Sequence, residues 1–146
     1  MNLDRSSERG FLSERLVAVA LSKLQEEGLI DDYAWLWMCS NKSASDLQKE
    51  WVDFIVVRRR GLGLPLQVKT SPKHAAVHRK RHKDIPVVIV GRSQELSIVE
   101  ERTRTVISTT PHTLWQKDWH AFYVLLVPRF LRRYAKKEAR RLRKFG

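Results

Sequence analysis

The sequence predicts an α/β domain with a central mixed β-sheet flanked by helices. Two apolar segments joined by a glycine-containing turn, Trp51–Val57 and Leu64–Thr70, have the composition and length of a β-hairpin. Ser71–Pro72 can begin a helix, which we expect to continue to about Lys83. The next segment, Ile85–Gly91, is a continuous β-branched run that is typical of a central strand with helices on both faces. A hairpin followed by a crossover helix and another strand makes the sheet mixed.

The bulk composition is that of one globular domain spanning residues 1–146. The chain has 42% hydrophobic and 30% charged residues, and its length suffices for a single core, which we place at about residues 8–127. It contains no apolar run of about 18 residues, so no membrane span is expected. The amino-terminal segment lacks the apolar stretch of a signal peptide. The single cysteine, Cys39, excludes an internal disulfide and fits a reducing cytoplasm, where we expect the protein to act.

The first helix is predicted over Glu8–Glu27 by the helical spacing of its apolar side chains. The members of this stripe are Leu12, Leu16, Val17, Ala20, Leu21 and Leu24. Ser6 or Ser7 could cap the first turn, and Gly28 stands where glycine commonly ends a helix. Glu14 lies beside the stripe, where a lone glutamate is usually solvated.

Three further segments complete the predicted elements. Tyr33–Cys39 is rich in aromatic residues and is a strand candidate. The segment Ser93–Ile107 has helical spacing of its partly apolar positions, namely Leu96, Val99, Thr103 and Val106. Trp119–Val127 fits a strand or a buried helix, and its aromatic residues and the following Pro128 favour a strand.

Polar side chains gather on one side of the predicted hairpin. Because side chains alternate between the faces of a strand, Gln67 and Lys69 lie opposite Leu66 and Val68. If the apolar faces of both strands pack on one core, Asp53 meets Gln67 and Lys69 on the other side. An acid, an amide and an amine at the end of a hairpin form a candidate site.

These residue types suit metal-assisted hydrolysis of a phosphodiester. The carboxylate of Asp53 is a ligand that Mg²⁺ prefers, and Gln67 could add a neutral carbonyl oxygen. The backbone carbonyl of Val68 could reach the same ion. Lys69 could lower the pKa of the attacking water or stabilise the charge that develops on the phosphate. The expected cofactor is therefore Mg²⁺ or Mn²⁺.

The spacing of these residues resembles the PD-(D/E)xK nuclease superfamily, in which a strand Asp is followed by (D/E/Q)-x-K in the next strand. Here the matching residues are Asp53 and Gln67-Val68-Lys69. The segment Arg9–Arg15, RGFLSER, resembles the R-G-x-x-x-E-R start of archaeal Holliday-junction resolvases, whose helix Glu is an acidic member of the site. The resemblance implies a restriction-endonuclease-like core in which Glu14 joins Asp53, Gln67 and Lys69 as a catalytic residue and also approaches the metal.

The chain departs from the usual superfamily pattern at two positions. Gln67 stands where most members have an acid, although Mrr-like restriction nucleases are similar in using Q-x-K. Val52, rather than Pro, precedes Asp53. The missing negative charge at Gln67 is expected to weaken metal binding.

The resemblance implies a Mg²⁺-dependent deoxyribonuclease that cuts branched or duplex DNA, and a homodimer that cuts two strands. Two alternatives stay open. The same fold could bind nucleic acid without cleaving it, or the protein could be an interaction module whose basic tail binds an acidic partner. Asp53 and Lys69 could also form a structural ion pair.

The formal net charge of +12 is concentrated in two segments. One is the predicted helix from Lys73 to Lys83, and the other is a basic carboxyl-terminal helix expected over 129–144. Such segments commonly contact phosphate backbones. The residues predicted to contact nucleic acid are Lys73, His74, His78, Arg79, Lys80, Arg81, Arg132, Arg133, Lys136, Lys137, Arg140 and Arg141.

The first of these segments also contains a histidine repeat. His74, His78 and His82 repeat every four residues, a spacing that can bind a metal. Five neighbouring Lys and Arg residues disfavour a cation there, so an exposed basic stripe is the expectation.

Overall fold

The computed structural model describes residues 5–39, 46–48, 52–58, 61–91, 94–126, 137 and 140–141. The helices and strands follow one another as α1 (Arg5–Glu26), β1 (Asp32–Trp35), β2 (Phe54–Arg58), β3 (Leu62–Lys69), α2 (Pro72–Arg81), β4 (Val87–Ile89), α3 (Leu96–Thr109) and α4 (Lys117–Leu126). Two 3₁₀ turns, Leu36–Met38 and His112–Leu114, lie between them.

The four strands form a mixed sheet in the order β1-β2-β3-β4. The pairs β1–β2 and β2–β3 are antiparallel, and β3–β4 is parallel. The predicted hairpin, crossover helix and mixed sheet are therefore confirmed. The central position expected for Ile85–Gly91 is wrong, because β4 lies at the edge of the described sheet. Its continuous apolar sequence is explained instead by α2 and α3, which contact it from the two faces.

The hairpin is buried on both faces rather than on one. Phe54 and Val56 pack in a layer under α1 and α3, whereas Ile55 and Val57 pack in a second layer with Tyr123 of α4. The condition that the hairpin packs its apolar side chains on one face alone is therefore not met, because β2 is apolar at both alternating sets of positions. Helices on both sides of the sheet cover both sets of apolar side chains.

Helix α1 ends as its sequence predicts. Gly28 has a φ of 82°, the N–H of Gly28 bonds to the carbonyl of Gln25, and the N–H of Leu29 bonds to that of Leu24. These two bonds form a Schellman motif, which requires a left-handed residue that glycine adopts without strain.

The buried face of α1 differs at its start from the predicted stripe. Leu12 is 57% exposed, whereas Ser13 is 7% exposed and its hydroxyl approaches the carbonyl of Val90. The stripe from Val17 to Leu24 is buried as expected. The face of α1 that meets the sheet therefore begins at Ser13. Leu12 lies outside this face, because consecutive residues are about 100° apart around a helix.

The segment Trp119–Val127 is helical where it is described, so the strand prediction is wrong. Tyr123 and Leu126 are buried while Phe122 and Leu125 are exposed, which is the pattern of a helix with one packed face. Gly63 of β3 permits this packing, because a Cβ there would lie 2.5 Å from the backbone nitrogen of His120. Strand β1 also ends earlier than predicted, since Leu36–Met38 forms a 3₁₀ turn.

The basic helix predicted over 129–144 falls largely outside the described residues. Lys137, Arg140 and Arg141 have helical backbone and exposed side chains. Among the helices that the structure describes, none is long and apolar enough to cross a membrane.

Candidate active site

Glu14 is held by an aromatic stack at the edge of the sheet. The indole Nε1–H of Trp35 donates to Glu14 Oε1 over 3.1 Å. The Trp35 ring stacks between Phe54, at 5.9 Å, and Phe11, at 5.6 Å between ring centroids. Because Phe11 precedes Glu14 by three residues on α1, the same helical turn supplies both the carboxyl group and a ring that fixes its donor.

Asp53 lies immediately before β2, where the hairpin ladder ends. Its Oδ2 accepts a hydrogen bond of 2.8 Å from the backbone N–H of Val68. Its own N–H bonds to the carbonyl of Leu66 over 2.9 Å. The side chain therefore continues the pairing of the two strands beyond their last backbone bonds, and this fixes the orientation of the carboxyl group.

The two carboxyl groups disfavour each other's ionisation. Burial and the neighbouring Asp53 raise the pKa of Glu14 to about 7, against the lowering effect of the Trp35 hydrogen bond. Burial raises the pKa of Asp53 to about 6, while the Val68 N–H and the charge of Lys69 lower it. One oxygen of each group is already bound to a donor, so the other oxygen is the one that could ligate a cation. A bound cation would favour both ionised forms.

Lys69 is the last residue of β3, and its charge acts on Asp53. Alternation along β3 places Val68 in the layer under α1, and Gln67 and Lys69 on the face that α2 covers. Lys69 is close enough to Asp53 to favour its ionised form. Asp53 therefore interacts both with Glu14 of α1 and with Lys69 of β3.

Gln67 is only 6% exposed, and its Oε1 accepts no hydrogen bond. Because helices cover both faces of the hairpin, Gln67 is buried rather than part of an open polar face. A buried amide oxygen without a donor is costly, and a metal ion is one group that could satisfy it. In the structure the N–H of Val68 donates to Asp53. The carbonyl of Val68 remains a predicted metal ligand.

The donor atoms at this site fit a hard divalent ion. Glu14, Asp53 and Gln67 offer oxygen atoms alone, which suits Mg²⁺ or Mn²⁺ with some of its coordination left to water. Within the described part of the chain, no three His, Cys, Asp or Glu side chains are grouped to hold a metal. A metal here would therefore rely on two carboxylates and on neutral oxygens.

Helix α2 presents most of its predicted basic residues to solvent. Ser71 caps the helix by accepting from the N–H of His74 over 3.2 Å. The exposed basic residues of the helix are Lys73, His74, Arg79, Lys80 and Arg81. This arrangement leaves all five accessible to a ligand.

His78 does not belong to the exposed stripe predicted from the histidine repeat. It is 3% exposed, and its Nε2 lies 3.1 Å from the carbonyl oxygen of Ile85. Burial is the main cause that lowers the pKa of His78, and nearby positive charges lower it further. The prediction of an exposed nucleic-acid contact is therefore wrong for this residue, because one hydrogen bond to the loop before β4 allows the ring to be buried.

The carboxyl-terminal contacts are described only in part. Lys137, Arg140 and Arg141 have exposed side chains, as the prediction requires. Arg132, Arg133 and Lys136 lie outside the described residues.

Sequence reasoning missed Phe11 and Trp35, which position Glu14. Phe11 lies one helical turn before Glu14, and Trp35 belongs to the aromatic segment Tyr33–Cys39. Neither signal identifies which tryptophan reaches the carboxyl group, because that contact depends on how α1 crosses β1.

Comparison of the chain with models of known protein families, with curated proteins and with solved structures finds no match.

Proposed function

We propose that the protein is a metal-dependent endonuclease that hydrolyses phosphodiester bonds in DNA. The observation that carries this proposal is the pairing of Glu14 with Asp53 beside Lys69. Two acids whose pKa values are raised by burial, one of them also by the charge of the other, with an amine within electrostatic reach, are typical of a site that handles a cation and an anionic substrate.

Asp53, Glu14 and the amide oxygen of Gln67 would hold the metal, together with the carbonyl of Val68. Mg²⁺ or Mn²⁺ supplies Lewis acidity to the phosphate and lowers the pKa of bound water. The protein orients its own groups in advance: the Val68 N–H fixes Asp53, and the Trp35 indole fixes Glu14. Preorganised groups need no rearrangement at the moment of reaction.

Lys69 has a separate role in this proposal. Its ammonium group would stabilise the charge that develops on the phosphate and orient the attacking water. Asp53 interacts with both Lys69 and Glu14 and would keep the amine near the acids. The role of Lys69 thus follows from its electrostatic contact with Asp53.

DNA is the proposed partner because positive charge dominates the exposed surface of α2. Neutralising phosphates with Lys and Arg releases counterions and gives affinity that decreases as salt rises. The proposed phosphate contacts are Lys73, His74, Arg79, Lys80 and Arg81 of α2, and the carboxyl-terminal residues Arg132, Arg133, Lys136, Lys137, Arg140 and Arg141. A homodimer would present two such sites to the two strands of a duplex.

The test is cleavage of labelled duplex and branched DNA with Mg²⁺ or Mn²⁺. Asp53→Asn keeps the shape of the side chain and removes its charge, and Lys69→Met removes the amine. Each is expected to lower the cleavage rate by about 100-fold or more, because each removes a charge that acts on the reacting phosphate. Lys117→Met is the matched control, since it removes an exposed lysine of α4 that has no role in the proposal and should leave the rate near that of the wild type.

A second candidate is a nucleic-acid-binding domain without nuclease activity. The observation that favours it is Gln67, which leaves two acids where the resemblance suggests three. Salt-dependent DNA binding by the wild type, with no cleavage in either metal, would select this candidate. DNA affinity that barely changes with salt would instead favour an acidic protein partner.

A further inference from the structure

A cleft of about 180 Å³ lies between α2 and the end of β3. The side chains that line it are Lys69, His74, Val77, His78, Arg81 and His82. Five of these six are basic types and none is acidic. The volume exceeds the roughly 30 Å³ share of a single water molecule, so the cleft can hold a small polyatomic ion.

Positive charge acts inside this cleft. His78 is buried in its wall, and the charges of His82, Lys69 and Arg79 all act to lower its pKa, although burial is the larger cause. The rings of His78 and His82 lie 5.1 Å apart between centroids. A neutral buried ring beside three basic groups indicates a positive potential that an anion would relieve.

We infer that this cleft binds one phosphate group, held by Lys69, His74, Arg81 and His82. The planar guanidinium of Arg81 can donate two parallel hydrogen bonds to phosphate oxygens, while the amine of Lys69 adds a point charge. Exposed imidazoles such as His74 can donate through a ring N–H. These groups come from β3 and from successive turns of α2, so they converge on the cleft without a change of fold.

A metal ion does not fit the same cleft. The structure describes no group of three His, Cys, Asp or Glu side chains that could hold one, although the histidine repeat has metal-binding spacing. The Nε2 of His78 is already engaged with the carbonyl of Ile85. The charges of the lining side chains also repel a cation and attract an anion.

Lys69 connects this cleft to the acid pair. Its charge acts on both Asp53 and His78. A phosphate in the cleft would therefore neighbour the phosphate that is cut. That the ligand comes from a DNA substrate rests on the proposed function, whereas the anion site itself does not. The phosphate could belong to an internal phosphodiester or to a strand end.

The first test uses inorganic phosphate as the probe, at constant ionic strength, with the five histidine Cε1 proton signals followed by NMR. Phosphate should shift the signals of His74, His78 and His82 saturably and leave those of His112 and His120 in place. Arg81→Gln should weaken phosphate binding at least tenfold. Lys80→Gln is the matched control, because Lys80 is exposed on α2 and does not line the cleft.

Parallel shifts of all five histidines, or equal effects of Arg81→Gln and Lys80→Gln, would overturn the inference. A second test compares binding of oligonucleotides with and without a 5′-phosphate in EDTA. A preference for the phosphorylated end that Arg81→Gln abolishes assigns the site to strand ends, and equal binding that Arg81→Gln weakens assigns it to internal phosphates. Phosphate binding without DNA cleavage would reject the nuclease proposal and support the phosphate site in the cleft. DNA cleavage with no effect of phosphate on the histidine signals would support the nuclease proposal and reject the phosphate site.

Discussion

The acid pair and the basic cleft are linked by Lys69, and the fold treats their charges differently. Glu14 and Asp53 are each fixed by an N–H donor, and burial raises the pKa values of both. In the cleft His74 and Arg81 are exposed, and only His78 is buried. Burial therefore favours the neutral forms of the two acids, whereas most of the bases are accessible to a ligand. In the two proposals, a cation completes the first region and an anion completes the second.

Adding an acid to the region of the acid pair should have the largest effect on the free energy of unfolding. Gln67→Glu places a third carboxyl group where Oε1 has no donor. Without metal at neutral pH, we expect a loss of about 3 kcal/mol in the free energy of unfolding, because the new charge is buried and uncompensated. Urea unfolding measures this loss. If Gln67 is a metal ligand, Mg²⁺ or Mn²⁺ should restore the stability of the variant more than that of the wild type. Equal effects of the metal on both proteins would remove Gln67 from the site.

The two regions should respond oppositely to pH. The pKa values of Glu14 and Asp53 are raised from 4.5 and 3.8 to about 7 and about 6. As pH rises from about 4 to 7, the unfolded chain releases these protons before the folded chain does. The acid pair therefore lowers the free energy of unfolding over this range, on the order of 2 kcal/mol after allowance for solvent screening. Unfolding curves in metal-free buffer between these pH values measure the effect.

The histidine contributes the reverse sign. The pKa of His78 is lowered from 6.5, so the unfolded chain binds a proton before the folded chain does as pH falls. The contribution of His78 to the free energy of unfolding therefore decreases as pH falls below 6.5. Glu14→Gln should reduce the loss of stability that the acids cause as pH rises. His78→Gln should remove the loss of stability that the histidine causes as pH falls. A Glu14→Gln variant with an unchanged pH dependence would show that the acid pair does not control stability.

Removing the donor to Glu14 should have a smaller effect on activity. Trp35→Phe keeps a ring in the stack with Phe54 and deletes the indole N–H. Cleavage is expected to decrease by about tenfold, with its pH profile moved to higher pH, because Glu14 loses the bond that favours its ionised form. The matched control is Trp37→Phe, since Trp37 also contacts Phe11 and is 56% exposed. The same pH profile in both variants would contradict a positioning role for Trp35.

An ion pair outside both regions should have the smallest effect. Lys23 and Glu100 join α1 to α3 across 2.7 Å near the surface. Glu100→Gln is expected to change the free energy of unfolding by less than about 1 kcal/mol, because surface pairs are screened by water and salt. Chemical denaturation measures this change. A larger loss would mean that docking of α1 and α3 depends on charge more than on the buried apolar layer.

The hairpin, the crossover helix and the end of α1 could be predicted because local chemistry determines them. Ser71 caps α2, and Gly28 ends α1, through hydrogen bonds within a few residues. The helical state of Trp119–Val127 could not be predicted, because a short apolar segment fits either state. The deciding contact is with Gly63, more than fifty residues earlier in the sequence.

The candidate site was predictable as a set of residues but not as an arrangement. Spacing on two strands identified Asp53 and Lys69, and a resemblance added Glu14. That Asp53 interacts with groups from both α1 and β3 depends on how these elements pack around the start of β2. The burial of His78 could not be predicted either, because the surrounding Lys and Arg residues indicated exposure and the Ile85 carbonyl that contacts its Nε2 lies in a loop.

The contact between Gly63 and α4 also limits how far the basic carboxyl-terminal segment can extend. Two hydrogen bonds of 2.9 Å join the backbones of Gly63 and Gln116 just before α4, and Leu126 near its end is 1% exposed. An extended chain covers at most about 3.6 Å per residue, so Lys137 lies within about 40 Å of Leu126 in any conformation. The charges of this segment are covalently tethered to the sheet. Their effective concentration near a ligand bound there does not fall when the protein is diluted.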